Sequence, residues 1–326
     1  MFGLDKLKSR PHAIEPVGTT VECPVRGCVQ TVPRRRMSSK QSKEFMCPEH
    51  RIYISPSTFE YENELDNLLW KNEADLALLS NIKRNAKRES RMGHDNSEDA
   101  LTWNVFRFLE MGHLLAGFLE TLVKHSVENP EVFYWSYSQT QNNVWPRLKE
   151  ARKEFETVPG KGSEPDLIIQ SNGDLFFIEA KLTATNNTVL HSHNPEVQRK
   201  YEKGGNSWYQ RVVHSHFRTV AVTDKKYELL RLWLLGSWIA HRSDLNFCLV
   251  NLVPSEREVN IEEIFRKHII ENSRRTFVRA TWESIYQFIL DSQVDTKDKN
   301  VVLRYFENKT IGYKNRLLQK AFSISH

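Results

Sequence analysis

The chain has 326 residues and a formal net charge of +5, because 46 lysine and arginine residues outweigh 41 aspartate and glutamate residues. Its 4 cysteines, 13 glycines and 12 prolines exclude a disulfide-stapled scaffold, a collagen-like protein and a low-complexity chain. Apolar runs are short and the N-terminal residues carry no signal core, which predicts a cytoplasmic protein with no membrane partner. The net charge is too small to indicate a partner, so the positions of the charges matter more than their sum.

Four potential metal ligands occur together near the start of the chain: Cys23, Cys28, Cys47 and His50. Two close pairs joined by a loop can place nitrogen and sulfur ligands around a tetrahedral ion, which is the geometry of structural zinc sites. The surrounding stretch has few apolar side chains to bury, so a metal ion would be its natural source of stability. We therefore predict a Zn²⁺-binding, zinc-finger-like module over residues 1–58. Three unrelated thiols and a surface histidine are the alternative.

Residues 59–96 are predicted to form a helical and basic connector. Leucines recur with helical spacing over 59–79, so we expect a helix there. A basic run follows at 83–91, and a shorter one at 34–36 lies in the preceding module. Such runs can contact the phosphates of a nucleic acid, although charged runs on helices are more often solvated faces.

The remainder of the chain, residues 97–326, is predicted to be the main domain. Ser97 is a favourable N-cap and acidic residues follow it, so a helix is expected over 97–124. Further helices are expected over 147–155, 208–216, 227–240, 261–271 and 281–290, and strands over 132–138 and 247–253. Cys248 is predicted to be a buried structural thiol in the second strand. The mixture of helices and strands indicates an α/β domain.

The most informative part of the sequence is a predicted β-hairpin in this domain. Two apolar strands flank Asn172 and Gly173, a pair that strongly favours a two-residue turn. With these residues in the turn, Asp166 is directly opposite Glu179, and their Cβ atoms are about 4.5–5.5 Å apart on one face. Lys181 is two residues beyond Glu179 and therefore projects from that same face.

This arrangement of charges predicts a site for a hard divalent cation, because two carboxylates held so close repel each other. Mg²⁺ and Mn²⁺ favour carboxylate oxygens, a main-chain carbonyl such as that of Ala180, and water. Lys181 could then orient or deprotonate an attacking water, or stabilise charge on a phosphate. The alternative is a surface hairpin with ordinary charges, which the apolar strands disfavour because unpaired buried charge is costly.

Pro165-Asp166 and, beyond the turn, Glu179-Ala180-Lys181 resemble the motif of the PD-(D/E)xK nuclease superfamily, which has the restriction-endonuclease-like fold. The resemblance implies a mixed central β-sheet flanked by helices, to which the zinc-binding module would be an addition. It also implies Mg²⁺ or Mn²⁺ held by Asp166, Glu179 and the Ala180 carbonyl, with Lys181 acting on the water.

The resemblance extends over residues 98–210 and implies two further site residues. The family usually supplies an acid from a helix before the hairpin, and Glu98 is the candidate. Glu110 is the second choice, and helix capping is the alternative role of Glu98. The family often carries a glutamine or another polar residue on the helix after the lysine strand, which Gln210 matches. An exposed helix glutamine is the equal alternative there.

These features together predict a metal-dependent endonuclease that hydrolyses phosphodiester bonds, with DNA expected ahead of RNA as the substrate. The alternative is a catalytically silent nuclease-fold zinc protein that binds nucleic acid or a partner. A hydrolase acting on RNA or nucleotides would share the same site. The N-terminal module would position substrate or a partner protein, and homo-oligomers are a further possibility. Two histidine pairs, His191/His193 and His214/His216, are expected to be solvated or phosphate-facing rather than metal ligands.

Overall fold

The structure is a computed structural model that describes residues 20–33, 42–54, 58–86, 92–157, 164–190, 195–294, 296–314 and 317–324. The chain divides into two compact units. Unit 1 comprises Met1–Leu76, Glu89–Gly112 and Trp282–His326. Unit 2 comprises Ala77–Arg88 and His113–Thr281.

Helices and strands occur mostly in short runs of one kind along the chain. The helices are α1 (Glu73–Ala86), α2 (Glu98–Met111), α3 (Leu115–Val123), α4 (Pro146–Phe155), α5 (Pro195–Ser207), α6 (Tyr209–Val212), α7 (Tyr227–Arg242), α8 (Ile261–Arg266), α9 (Trp282–Asp291) and α10 (Thr296–Asn308). The strands are β1 (Thr20–Glu22), β2 (Thr31–Pro33), β3 (Met46–Cys47), β4 (Ile52–Ile54), β5 (Phe59–Tyr61), β6 (Glu131–Tyr134), β7 (Tyr137–Ser138), β8 (Asn143–Val144), β9 (Leu167–Gln170), β10 (Asp174–Ala180), β11 (Asn246–Val253), β12 (Arg275–Thr281), β13 (Thr310–Lys314) and β14 (Leu317–Lys320). Within the described ranges, no helix is both long and apolar enough to cross a membrane.

Unit 1 combines small antiparallel sheets with helices. Strand β1 pairs with β2, β4 lies between β3 and β5, and β13 pairs with β14. Aromatic rings from α2, α9 and α10 pack together in its interior. The ring centroid of Trp282 lies 6.4 Å from that of Phe106 and 6.4 Å from that of Phe306. The unit therefore buries apolar side chains of its own, despite the small size of its sheets.

The helix expected over 59–79 forms only in part. Strand β5 occupies the first residues of this stretch and pairs antiparallel with β4, and helix α1 begins only at Glu73. Phe59 and Tyr61 are both buried in the paired strand. Burial of these aromatic rings through strand pairing outweighs the helical spacing of the leucines that follow.

The helix expected over 97–124 is two helices, α2 and α3. Its start is as predicted, because the Ala100 N–H donates to the Ser97 Oγ over 3.0 Å. Helix α2 ends at Met111, and His113 has a φ of 53°. This left-handed conformation interrupts the helical hydrogen bonding. Apolar residues continue through the break, so their spacing alone does not reveal it.

The described part of unit 2 contains one mixed seven-stranded sheet flanked by helices, in the order β12-β11-β10-β9-β6-β7-β8. Strands β10, β11 and β12 run parallel, whereas β9 is antiparallel to both β10 and β6. The predicted α/β class and the mixed central sheet are therefore confirmed.

Strands β9 and β10 form the predicted hairpin in the predicted register. Ile169 is opposite Phe176, and the Ser171 N–H donates to the Asp174 carbonyl over 2.8 Å where the turn begins. Every residue of β10 is buried. The hairpin is therefore covered on both faces and lies within the sheet rather than on the surface.

Helix α7 packs on one face of this sheet. Phe177, Leu249 and Phe277 occupy one register row across β10, β11 and β12. They belong to the same apolar cluster as Trp233 of α7, and all four side chains are buried. Because Glu179 is two residues beyond Phe177, its side chain projects from the face that α7 covers.

Replacing Gly236 with alanine tests how closely α7 approaches the sheet. A Cβ atom at this position would lie 2.2 Å from the ring of Phe247 and 3.1 Å from that of Phe177. Alanine is favoured over glycine by about 1 kcal/mol in a helix, but displacing well-packed buried rings costs about 1–3 kcal/mol. We expect Gly236→Ala to lower the free energy of unfolding, measured by urea denaturation, by up to about 2 kcal/mol.

Gly173→Ala is the matched control for this substitution, because no heavy atom lies within 4 Å of its added Cβ. It should change the free energy of unfolding by less than about 0.5 kcal/mol. A gain in stability for Gly236→Ala would contradict the close packing of α7 on the sheet.

Candidate functional site

Asp166 and Glu179 lie side by side at one end of the hairpin. Continuing the pairing of β9 and β10 by one residue beyond Leu167 and Ile178 places the two acids opposite each other. Asp166 Oδ2 accepts a hydrogen bond from the Ala180 N–H over 2.9 Å, which holds this carboxylate against β10. The structure therefore brings the two predicted carboxylates together.

Pro165 changes the hydrogen bonding at this end of the hairpin. The same register places it opposite Ala180, whose N–H and C=O both point toward that strand. Proline has no N–H and cannot donate to the Ala180 carbonyl. The side chain of Asp166 receives the Ala180 N–H instead. The Ala180 carbonyl oxygen thus faces the Asp166 side of the hairpin with no ladder bond from Pro165.

Glu179 is a buried acid with one satisfied and one unsatisfied oxygen. Its side chain is only 3% exposed, and the Lys181 Nζ donates to its Oε1. Its Oε2 has no hydrogen-bond partner among the described residues. Burial, and then the nearby charge of Asp166, raise the pKa of Glu179 well above its usual range. A hydrogen-bond donor, a proton or a cation can satisfy such an oxygen.

Lys181 lies between two acids, of which Glu228 was not predicted. The Lys181 Nζ contacts Glu179 and is 3.5 Å from the Glu228 Oε2 at the start of α7. Burial alone would lower the pKa of Lys181, but Glu179, Asp166 and Glu228 together raise it. Lys181 is therefore held as an ammonium. The sequence gives no sign of this role of Glu228, because acids are common in the first turn of a helix, where they interact favourably with the helix dipole.

Asn251 is a second neighbour of the site that sequence reasoning did not find. It lies in β11 directly beside Glu179 and is fully buried. Its Nδ2 donates to the Glu258 Oε2 over 3.0 Å, and the Asn186 Nδ2 donates to its Oδ1 over 2.5 Å. The amide side chains of Asn251 and Asn186 therefore form a polar, hydrogen-bonded group beside Glu179. An asparagine in an otherwise apolar strand was the available sequence signal.

Three further predicted site residues belong to other elements. Glu98 is the first residue of α2 in unit 1. Glu110 on the same helix accepts a hydrogen bond from the Arg107 Nη1 over 2.6 Å. Gln210 is exposed on α6 in unit 2. The roles of Glu98, Glu110 and Gln210 in the site stay predictions.

Some of the predicted charged segments lie outside the described residues, namely the basic run at 34–36, residues 87–91 of the second run and the pair His191/His193. The pair His214/His216 is exposed and belongs to no compact set of metal ligands within the described ranges. Cys248 is buried in β11, as predicted.

Cys23, Cys28, Cys47 and His50 converge in unit 1. Their ligand atoms all lie within 4.8 Å of one another, and the three cysteines are buried and form no disulfide. The Sγ atoms of Cys23 and Cys47 are each 3.6 Å from the His50 Nδ1. The Sγ atoms of Cys28 and Cys47 are 3.9 Å apart. Within the described part of the chain, this is the one such set of three or more His, Cys, Asp or Glu side chains.

These separations fit the edges of a tetrahedral zinc site. With Zn–S bonds of about 2.3 Å and Zn–N bonds of about 2.0–2.1 Å, the edges are roughly 3.8 Å between sulfurs and roughly 3.6 Å between sulfur and nitrogen. Burial raises the pKa of the Cys23 thiol, so a metal ion is needed to stabilise its thiolate. The four residues can therefore bind a metal such as zinc.

We expect the purified protein to carry about one zinc ion per chain, measured by inductively coupled plasma mass spectrometry. Cys47→Ser should lower the zinc content well below that value, because a serine hydroxyl is a poor zinc ligand. Cys248→Ala is the matched control, since this buried cysteine in β11 does not belong to the ligand set. Equal zinc content in Cys47→Ser and the unsubstituted protein would contradict the zinc site.

The chemistry of these two clusters is the basis for assigning a function. Comparison of the chain with protein-family models, with curated proteins and with solved structures gave no match. Any assignment of function therefore depends on the paired carboxylates with Lys181 and on the Cys3His cluster.

Proposed function

We propose that this chain is a divalent-metal-dependent nuclease that hydrolyses phosphodiester bonds, with DNA as the expected substrate. The observation that carries the proposal is the pairing of Asp166 with Glu179 beside Lys181 at the end of a buried hairpin. The proposal includes a restriction-endonuclease-like core. The mixed sheet and its flanking helices support that part of it.

Asp166, Glu179 and the Ala180 carbonyl would hold Mg²⁺ or Mn²⁺, because these ions favour hard oxygen ligands. Two oxygen atoms suit such an ion. One is the Glu179 Oε2, which has no hydrogen-bond partner among the described residues, and the other is the Ala180 carbonyl oxygen, to which Pro165 cannot donate a hydrogen bond. The bound ion would supply a nucleophilic water and neutralise charge on the scissile phosphate. Glu98 stays the candidate for an additional acidic ligand.

Lys181 would position the water and the phosphate. Because the surrounding acids raise its pKa, it acts as a hydrogen-bond donor and a positive charge rather than as a base. Glu228 holds the ammonium from the α7 side. The charge of Lys181 is thus placed next to the carboxylates before any substrate binds, which reduces the reorganisation needed during the reaction.

A catalytically silent protein that binds nucleic acid or a partner is the second candidate function. The contact between Lys181 and Glu179 favours it, since an ammonium that already neutralises a carboxylate lowers the need for a metal ion. The Cys3His cluster suits either function. Metal binding at the hairpin and DNA cleavage therefore separate the two candidates.

Cleavage of plasmid DNA and of DNA and RNA oligonucleotides in Mg²⁺ or Mn²⁺ tests the proposed activity. Asp166→Asn removes a metal ligand and Lys181→Ala removes the positioning charge, so each should lower the rate at least about 100-fold. Circular dichroism should show that both variants remain folded.

Glu150→Gln is the control for the loss of a carboxylate, because Glu150 is exposed on α4 in the same unit. It should cleave at the rate of the unsubstituted protein. Cleavage that persists unchanged in both Asp166→Asn and Lys181→Ala would refute the assignment of the site.

The affinity for Mn²⁺ should rise with pH. Burial raises the pKa of Glu179, so a proton competes with the metal ion for this carboxylate at a higher pH than in an exposed acid. The affinity for Mn²⁺ should therefore increase as the pH rises through the pKa of Glu179 in the folded protein, and it should level off above that pKa. Isothermal titration calorimetry measures this dependence directly.

Glu179→Gln should lose both the pH dependence and most of the Mn²⁺ affinity, because its amide neither titrates nor carries charge. Glu150→Gln again serves as the control and should titrate like the unsubstituted protein. Mn²⁺ binding that is the same with and without Glu179 would favour the catalytically silent protein.

A further inference from the structure

A pocket with a cationic lining lies in unit 2, at the opposite end of β11 from Asn251. Its volume is about 120 Å³. Residues that line it include Ser237, Ala240, His241, Phe247, Arg274 and Arg275. Phe247 and Asn251 are separated by roughly 13 Å along the strand, at about 3.3 Å per residue. The pocket is therefore distinct from the hairpin site.

Arg275 is a half-buried cation with no acidic partner within salt-bridge distance among the described residues. Its Nε donates to the Ile270 carbonyl over 3.1 Å. Its guanidinium carbon lies 5.9 Å from the ring centroid of Trp208 and 6.0 Å from that of Trp233. Burial lowers the pKa of Arg275, because partial removal from water disfavours an uncompensated charge. An anion in the pocket would supply the missing counter-charge.

Arg274 and His241 add donors beside Arg275. The Arg274 side chain is paired with Asp244 at 2.8 Å, but the two side chains are 54% and 90% exposed. A pair this exposed contributes at most about 1 kcal/mol, so a stronger anion can displace Asp244. His241 stacks on Trp208 with ring centroids 4.7 Å apart, and its imidazole is exposed. The lining thus offers several donors to one small ligand.

The volume of the pocket and the charge of its lining indicate which class of ligand it can bind. A volume of about 120 Å³ is well below the roughly 300–1,000 Å³ of pockets that enclose drug-sized molecules. Arg274 and Arg275 both line the pocket, and a guanidinium group can contact two oxygens of a phosphate in bidentate fashion. We propose that this pocket binds a phosphate group, carried by a nucleic acid or free in solution. The proposal stands on the pocket alone and does not require the nuclease activity.

Titration with inorganic phosphate at constant ionic strength tests the pocket. Tryptophan fluorescence is a suitable signal, because the rings of Trp208 and Trp233 pack against Arg275. The unsubstituted protein should show a saturable change. Arg275→Gln should weaken phosphate binding at least tenfold, which corresponds to about 1.4 kcal/mol. Thermal unfolding should show that the variant is folded.

Arg218→Gln is the matched control, because Arg218 is an exposed arginine of unit 2 that does not line the pocket. It removes the same charge and should bind phosphate like the unsubstituted protein. Where Arg275→Gln fails to fold, Arg274→Gln replaces it, since this exposed side chain tolerates substitution. We expect it to weaken binding several-fold.

A DNA oligonucleotide, followed by fluorescence anisotropy without divalent ions, identifies the source of the phosphate. Parallel loss of phosphate and DNA binding in Arg275→Gln supports the proposal with nucleic acid as the ligand. Loss of phosphate binding alone supports it with a free phosphate compound as the ligand. Phosphate binding that is absent from the unsubstituted protein, or equal in Arg275→Gln and Arg218→Gln, would overturn it.

Discussion

The antiparallel pairing of β9 with β10 is the constraint on which the candidate site depends. Side chains alternate between the two faces of a strand, so a slip of one residue would move Glu179 away from Asp166 and from α7. Both faces of this hairpin are apolar and buried, so alternation of polar and apolar residues cannot set the register. The two-residue turn sets it instead. The same register, extended by two residues, puts Pro165 opposite Ala180, and proline has no N–H to donate to the Ala180 carbonyl.

The charge balance of this site explains the raised pKa values of Glu179 and Lys181. Asp166, Glu179 and Glu228 surround a single ammonium, that of Lys181. Burial and the nearby charge of Asp166 favour a proton on Glu179 and raise its pKa, whereas the three acids together outweigh the effect of burial on Lys181 and raise its pKa as well. A bound divalent cation would replace that proton and restore the balance.

The modest net charge of +5 does not describe how charge is distributed within unit 2. Acids cluster where β10 and β11 end, whereas arginines line a pocket where β11 begins. A nearly balanced sum is therefore compatible with binding a polyanion, because local potential depends on position rather than on total charge. The Cys3His cluster belongs to unit 1, and its four ligand atoms are close enough together to bind a metal such as zinc.

Local sequence information determined the hairpin and its register, the N-cap at Ser97 and the Cys3His ligand set. Each of these depends on neighbouring residues or on ligand spacing that can be read directly. The start of β5, the break between α2 and α3 and the whole of β12 were not evident, because strand pairing and packing decided them. Only the tertiary structure placed Glu228 beside Lys181 and Asn251 beside Glu179. It also placed Arg275 in a pocket, with no acid within salt-bridge distance of its guanidinium among the described residues. These contacts join segments that are far apart in the chain, and local sequence propensities do not predict which distant segments come into contact.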